Sequence, residues 1–184
     1  RAVNDCCHKA AWFTQTAISC QVDGLAYAVI SDLQTPSHRP GPGPLLFGGQ
    51  GMLTSNSIPK PLYHAMEMLH ALGPKLVRRG NHFMVTKDDS GVLTIIMHNC
   101  KQFSQAYLMH PEETALSDSY EDLRNLQVIL LMEELRPGTY HMKTTILNEQ
   151  HGSILHALTV FGKSENLSPQ DYAYLRSTSI PQQQ

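Results

Sequence analysis

The run Leu25-Ala26-Tyr27-Ala28-Val29-Ile30 constrains this chain more than any other stretch. It opens after Gly24, stops at Ser31-Asp32, and shows no alternation of apolar and polar positions. A strand with one wet face alternates, whereas a strand covered on both faces does not. The run therefore predicts an inner strand of a parallel sheet with helices on either side. Its flanks agree. From Asn4 to Cys20 the apolar positions Ala10, Ala11, Phe13, Ala17 and Ile18 recur at roughly helical spacing, and Asp5 stands where an N-cap carboxylate would accept free backbone N–H groups. Thr35 to Gly51 holds four Pro and five Gly in seventeen residues, which leaves no room for a regular element. Leu62, Ala65, Met66, Leu69 and Leu72 then form the stripe of a second helix, entered through Pro59-Lys60-Pro61 and closed by Gly73-Pro74. Helix, buried strand, long loop, helix is the grammar of β/α units. A complete (β/α)8 barrel takes about 250 residues, and this chain has 184, so residues 1–74 predict only the end of a TIM barrel.

Beyond Pro74 the pattern changes. Val77–Arg79, His82–Thr86, Val92–Asn99, Gln127–Leu135, Tyr140–Leu147 and Ile154–Val160 are strand-length runs rich in β-branched and aromatic residues. Turn signals such as Asp88-Asp89-Ser90-Gly91 and Arg136-Pro137-Gly138 separate them, and Pro111 to Asn125 is a polar interruption. Ser168-Pro169 is an N-cap followed by Pro at the first helical position, so a short helix to about Arg176 is expected before the tail Ser179–Gln184. The expected fold class is an α+β fragment. The last β/α elements of the barrel fill 1–74, and an antiparallel β-sandwich with a short C-terminal helix fills 75–184.

Composition excludes several function classes. Fourteen Lys and Arg against sixteen Asp and Glu give a formal charge of −2, and the basic residues cluster only at Lys75–Arg79, so a nucleic-acid groove binder is not indicated. Apolar runs such as Leu25–Ile30 and Val128–Met132 are far too short to span a membrane. Cys6, Cys7, Cys20 and Cys100 show no C-x-x-C spacing and no disulfide framework, which favours a reducing, cytoplasmic setting. Cys6 and Cys7 read as packing residues, since nothing in the sequence places a base beside them. The chain begins at Arg1 without a leader, as if excised from something longer. His64, Glu67 and His70 share one helix, but His70 is rotated by about 240° from His64, so they read as surface residues rather than a metal site. No metal or other cofactor is expected.

The segments that carry a family resemblance are Ser31-Asp32, Phe47-Gly48-Gly49-Gln50-Gly51-Met52-Leu53, Ile58-Pro59-Lys60-Pro61-Leu62-Tyr63-His64-Ala65 and Leu72-Gly73. Together they resemble the end of the catalytic barrel in family 39 glycoside hydrolases, the β-xylosidase and α-L-iduronidase group. Leu147 to Gly162 and Leu167-Ser168-Pro169 resemble the closing part of the family's β-sandwich, and Asn4-Asp5 with Lys9-Ala10-Ala11 resembles the stretch just after its nucleophile motif. A retaining glycosidase sets two carboxyl groups about 5 Å apart across the scissile bond. The resemblance implies that both glutamates lie earlier in the barrel, off this chain. Asn148-Glu149 is a literal Asn-Glu pair, but it falls between two expected strands and reads as a turn. The enzymes generally carry a Trp at the position of Ala28, a glutamate near Thr35 and a His at Phe47, so the sugar contacts of this rim have changed.

These departures favour a non-catalytic family 39-like region of a bacterial AraC-type transcriptional regulator, with a structural or sugar-sensing role. The candidate carbohydrate-binding residues are Ser31, Asp32, Phe47 and Gln50. The alternative is the barrel end and accessory sandwich of an active β-xylosidase-like retaining enzyme. A free-standing carbohydrate-binding module is a third reading. The expected partners are the upstream part of the parent chain and a small sugar. A two-faced apolar strand without its neighbours predicts self-association of the isolated chain.

Overall fold

The computed structural model describes residues 2–20, 32–34, 45, 46, 48–110, 119–122, 125–133, 135, 137–161 and 167–184. The inner strand expected at Leu25–Ile30 lies outside them, as does most of the Pro- and Gly-rich loop. A 3-10 turn, Ala2–Asp5, leads into α1 (Cys7–Cys20). Helix α2 (Pro61–His70) follows, with Pro61 in its first turn as the sequence predicts. The two helices pack side by side. Asp5 departs from its expected role as an N-cap: it is buried, and its carboxylate turns to Gly48 and Lys60 instead.

Strands β1 (Lys75–Arg79), β2 (Phe83–Lys87) and β3 (Leu93–Met97) form an antiparallel sheet in that order. The β2–β3 turn forms as its sequence dictates. The Asp88 carboxylate accepts the Ser90 hydroxyl at 2.7 Å and the Val92 N–H at 2.9 Å, and Gly91 takes φ 95°. Alternation decides which face is inward. Met84 and Ile96, paired across the ladder, join Ile18 of α1 in a core flanked by Met68, Leu69 and Leu72. Leu93, Ile95 and Met97 of β3 point away from it and are exposed.

Helix α3 (Gln105–Met109) is a short element that the sequence analysis does not anticipate, capped by Ser104. β4 is only Thr145–Ile146, and it pairs with β5 (Gln182–Gln183) in the C-terminal tail. The expected strand Gln127–Leu135 joins no ladder among its described residues, although Ile129 and Leu131 are well exposed. The expected strand Ile154–Val160 is instead helix α4 (Leu155–Phe161). Ile154, just before the helix, and Leu158, in it, both pack into the same core. Helix α5 (Pro169–Thr178) carries a complete capping box, with Ser168 and Asp171 each bonding the other's backbone N–H.

The second core joins Leu45 and Ile58 to Ile154, Leu158 and Leu175. Both cores therefore draw on residues from either side of position 74. The architecture described is mixed α+β with two small antiparallel sheets. Among the described residues, no helix is long and apolar enough to cross a membrane.

Candidate functional site

The rim begins with backbone pairing. Residues 32–34 run parallel to 52–54, through Met52 N–H to the Asp32 carbonyl at 3.4 Å and Leu53 N–H to Leu33 at 2.8 Å. Residues 52–54 pair in turn with 58–60, through Thr54 N–H to Ile58 and Lys60 N–H to Met52, each at 2.9 Å. Gln34 closes this ladder by donating its side-chain amide to the Ser55 carbonyl at 2.7 Å. Asp32 is half-buried at this paired edge, and Gln50, two residues before Met52, is exposed. Ser31 and Phe47, the other two candidate sugar contacts, lie outside the described residues.

Beneath this edge lies a buried polar lock. Lys60 Nζ stands 2.6 Å from Asp5 Oδ1, and each side chain is only 2% exposed. The same ammonium donates to the Gly49 carbonyl at 2.9 Å. Asp5 Oδ2 accepts the Gly48 N–H at 2.5 Å, and Asn4 Nδ2 donates to the Gly48 carbonyl at 2.8 Å. Lys9 in turn holds Asn4 Oδ1 at 3.0 Å. A charge removed from water is tolerated when a partner and further hydrogen bonds surround it, and here they do. Nothing local in the sequence brings Asn4, Asp5 and Lys60 together. The usable signal was a lone charge inside Ile58-Pro59-Lys60-Pro61-Leu62, an otherwise uncharged segment.

A second feature is a half-open cleft of about 350 Å³ between α1, the end of β3 and residues 145–149. Its lining includes the apolar Ala10, Met68 and Ile96 and the polar His8, His98, Tyr120 and Glu149. Phe103 stacks between Tyr107 and Tyr120 beside it, with its centroid 4.0 Å from that of His8. Burial governs the acid–base chemistry here. It pushes the Cys7 thiol up to about 12, with Cys6 and Glu149 adding to the effect, and it likewise raises Cys6. It takes Tyr120 up to about 12. Burial lowers His8, and burial with nearby His82 lowers His98, against an opposing pull from the Asn81 carbonyl. The thiols and phenol are thereby held neutral near pH 7, which disfavours nucleophilic chemistry.

Among the described residues that line this cleft Glu149 is the one carboxylate, so they place no carboxyl pair across it. Asn148-Glu149 forms the turn its sequence suggests, with Asn148 Oδ1 accepting from Gln150 and His151 N–H, each at 2.9 Å. His64 is not the surface residue its sequence position suggests. It is buried, with Nε2 2.6 Å from the Ser179 carbonyl and Nδ1 3.0 Å from Glu67, because the end of α5 covers that face of α2. Among the described residues no group of three or more His, Cys, Asp or Glu could hold a metal.

In fold, the chain is similar to the glycoside hydrolases of family 39. A β-xylosidase structure from Caulobacter crescentus superposes over 100% of this chain and 38% of its own, with a TM-score of 0.71 and 19% identity. A family 39 β-xylosidase structure from the same organism gives 0.63 and 16%, over 100% of this chain and 36% of that one. A family 39 enzyme from Xanthomonas axonopodis pv. citri gives 0.61 and 20%, over 99% and 36%. In sequence, 78 residues are 33% identical to the β-xylosidase of Geobacillus stearothermophilus, covering 42% of this chain and 15% of that enzyme. No family model matches the chain. It thus spans little more than a third of the solved relatives and resembles part of a glycoside hydrolase.

Proposed function

We propose that this chain is the barrel-end and accessory region of a family 39-type glycoside hydrolase-like protein, and that its rim holds a pentose-based sugar through Asp32 and Gln50 together with Ser31 and Phe47. The observation that carries this reading is the 33% identity to a β-xylosidase. Residues 1–74 are then the last β/α units of the barrel. The sandwich is completed where the apolar outer side of β3 and the exposed Ile129, Leu131 and Met132 meet the rest of the parent. The parent's upstream region is accordingly the chain's main partner. Hydrolysis belongs to that upstream region, and here the rim binds without cleaving. Titration with xylobiose at millimolar concentration, followed by amide NMR, tests the rim. Saturable shifts around Asp32 and Gln50, weakened by Asp32→Ala and Gln50→Ala, are expected. A spectrum unmoved by xylobiose and by arabino-oligosaccharides overturns the reading.

The replaced sugar contacts at Ala28, Thr35 and Phe47 favour a second reading, in which the parent is a non-catalytic regulator of the AraC type. Hydrolysis of a chromogenic xyloside by the full parent would exclude it.

A further inference from the structure

We propose that Asn4, Asp5 and Lys60 are positioning residues, a buried ionic lock that sets the loop Gly48–Gln50 and thereby the place of Gln50 at the sugar-binding rim. The proposal rests on the rim reading above. Its ground is that side chains hold three of the four backbone polar groups of two consecutive glycines: Asp5 the Gly48 N–H, Asn4 the Gly48 carbonyl, and Lys60 the Gly49 carbonyl. Gly48 takes φ 81°, a conformation other residues rarely adopt. A glycine pair left to itself samples many conformations, and these bonds select one.

The composition of the lock supports the same role. For stability alone an apolar pair of similar volume serves as well as a buried ion pair, so burying Asp5 and Lys60 points to conformational selection rather than to strength. Its place in the fold completes the argument. The Lys60 N–H bonds the Met52 carbonyl, and the Met52 N–H bonds the Asp32 carbonyl, so the lock is two backbone bonds from one rim residue. Through Gly49 it is one peptide from the other. Residues 2–5, 32–34, 48–50 and 60 are far apart in sequence, and this network makes them one unit.

The test uses the full 184-residue chain, xylobiose as the probe, and the double variant Asp5→Leu/Lys60→Met, which removes both charges while keeping most of the volume. Hydrogen exchange at the Gly48 amide and the xylobiose Kd are read together. Loss of one or two hydrogen bonds predicts about tenfold faster exchange at Gly48 and about tenfold weaker binding, with a thermal midpoint close to wild type. Gly48 exchange left unchanged overturns the lock. Accelerated exchange with an unchanged Kd overturns its positioning role. If the unmodified chain does not bind xylobiose, the rim reading fails by itself, and Gly48 exchange still decides whether the lock sets the loop. If the double variant does not fold, Asn4→Ala removes the bonds to the Gly48 carbonyl and to Lys9, leaves the Asp5–Lys60 pair in place, and carries both readouts, with about threefold effects expected and no effect on either overturning the proposal.

Discussion

Replacing Leu175 by Ala tests whether the C-terminal helix and the rim share one core. Leu175 is fully buried and meets Leu45, Ile58, Ile154 and Leu158. Ile58 lies just before α2, whose far end supplies Met68 and Leu69, with Leu72 just beyond it, to the other core around Ile18, Met84 and Ile96. The segment 58–72, with α2 at its centre, is therefore a wall common to both clusters, and damage to one should lower the stability of both. Truncating a fully buried leucine costs the transfer of the lost methyl groups plus the cavity left behind, about 3 kcal/mol in a site that collapses only partly. In a chain of this size that lowers the thermal midpoint by about 6–12 °C. Urea unfolding should be followed by far-UV circular dichroism, which reports the helices, and by the fluorescence of Trp12, the single tryptophan, which lies in α1 away from Leu175. The two transitions should move together with an unchanged slope. A loss below about 1 kcal/mol refutes the packing argument. A Trp12 transition that stays at its wild-type midpoint while the helix signal shifts refutes the common wall.

Acidification should weaken the fold through His98. Its folded pKa lies below the usual histidine value, mainly through burial, so the unfolded chain binds the proton first, and stability present above about pH 6.5 is lost as pH falls below it. Urea midpoints should drop between pH 7 and 5, and His98→Asn should flatten part of that slope; an unaltered slope would show that His98 is not the group responsible. With the Cys7 thiol pushed up to about 12, a thiol reagent at pH 8 should label it at least tenfold more slowly in the folded chain than in urea, and equal rates would contradict its burial. The isolated chain should self-associate through its uncovered apolar side chains, among them Ile129, Leu131 and Met142. Sedimentation should show that association reduced by Leu131→Lys/Met142→Lys, and a strictly monomeric wild-type profile at high concentration would contradict it.

What the sequence made legible, and what it hid, follows from the range of the interactions involved. Helix α2 was readable because Pro61, the Leu62–Ala65–Leu69 stripe and Gly73-Pro74 are local signals, and the capping box of α5 is local in the same way. The turn at Asp88–Gly91 was equally readable, since its bonds close within four residues. Helix α4 was not. Leu155-His156-Ala157 alternates like a strand, and Thr159 and Val160 are β-branched, so the choice fell to a contact with Leu45 and Ile58 about a hundred residues away. His64 was misjudged for the same reason, because its partner Ser179 lies 115 positions along the chain. The lock shows the limit most sharply. Each of Asn4, Asp5 and Lys60 has an ordinary local reading as a helix lead-in or a proline-flanked polar residue. Only when the chain closes from 5 to 48 and from 49 to 60 does an unremarkable lysine become the charge that holds two glycines in place. Nonlocal closure of this kind governs the candidate sugar residues too. In the proposed rim the pairing of 32–34 with 52–54 ties the segment of Asp32 to the one that follows Gln50, so a change that slackens this ladder should weaken sugar binding even where it touches neither side chain.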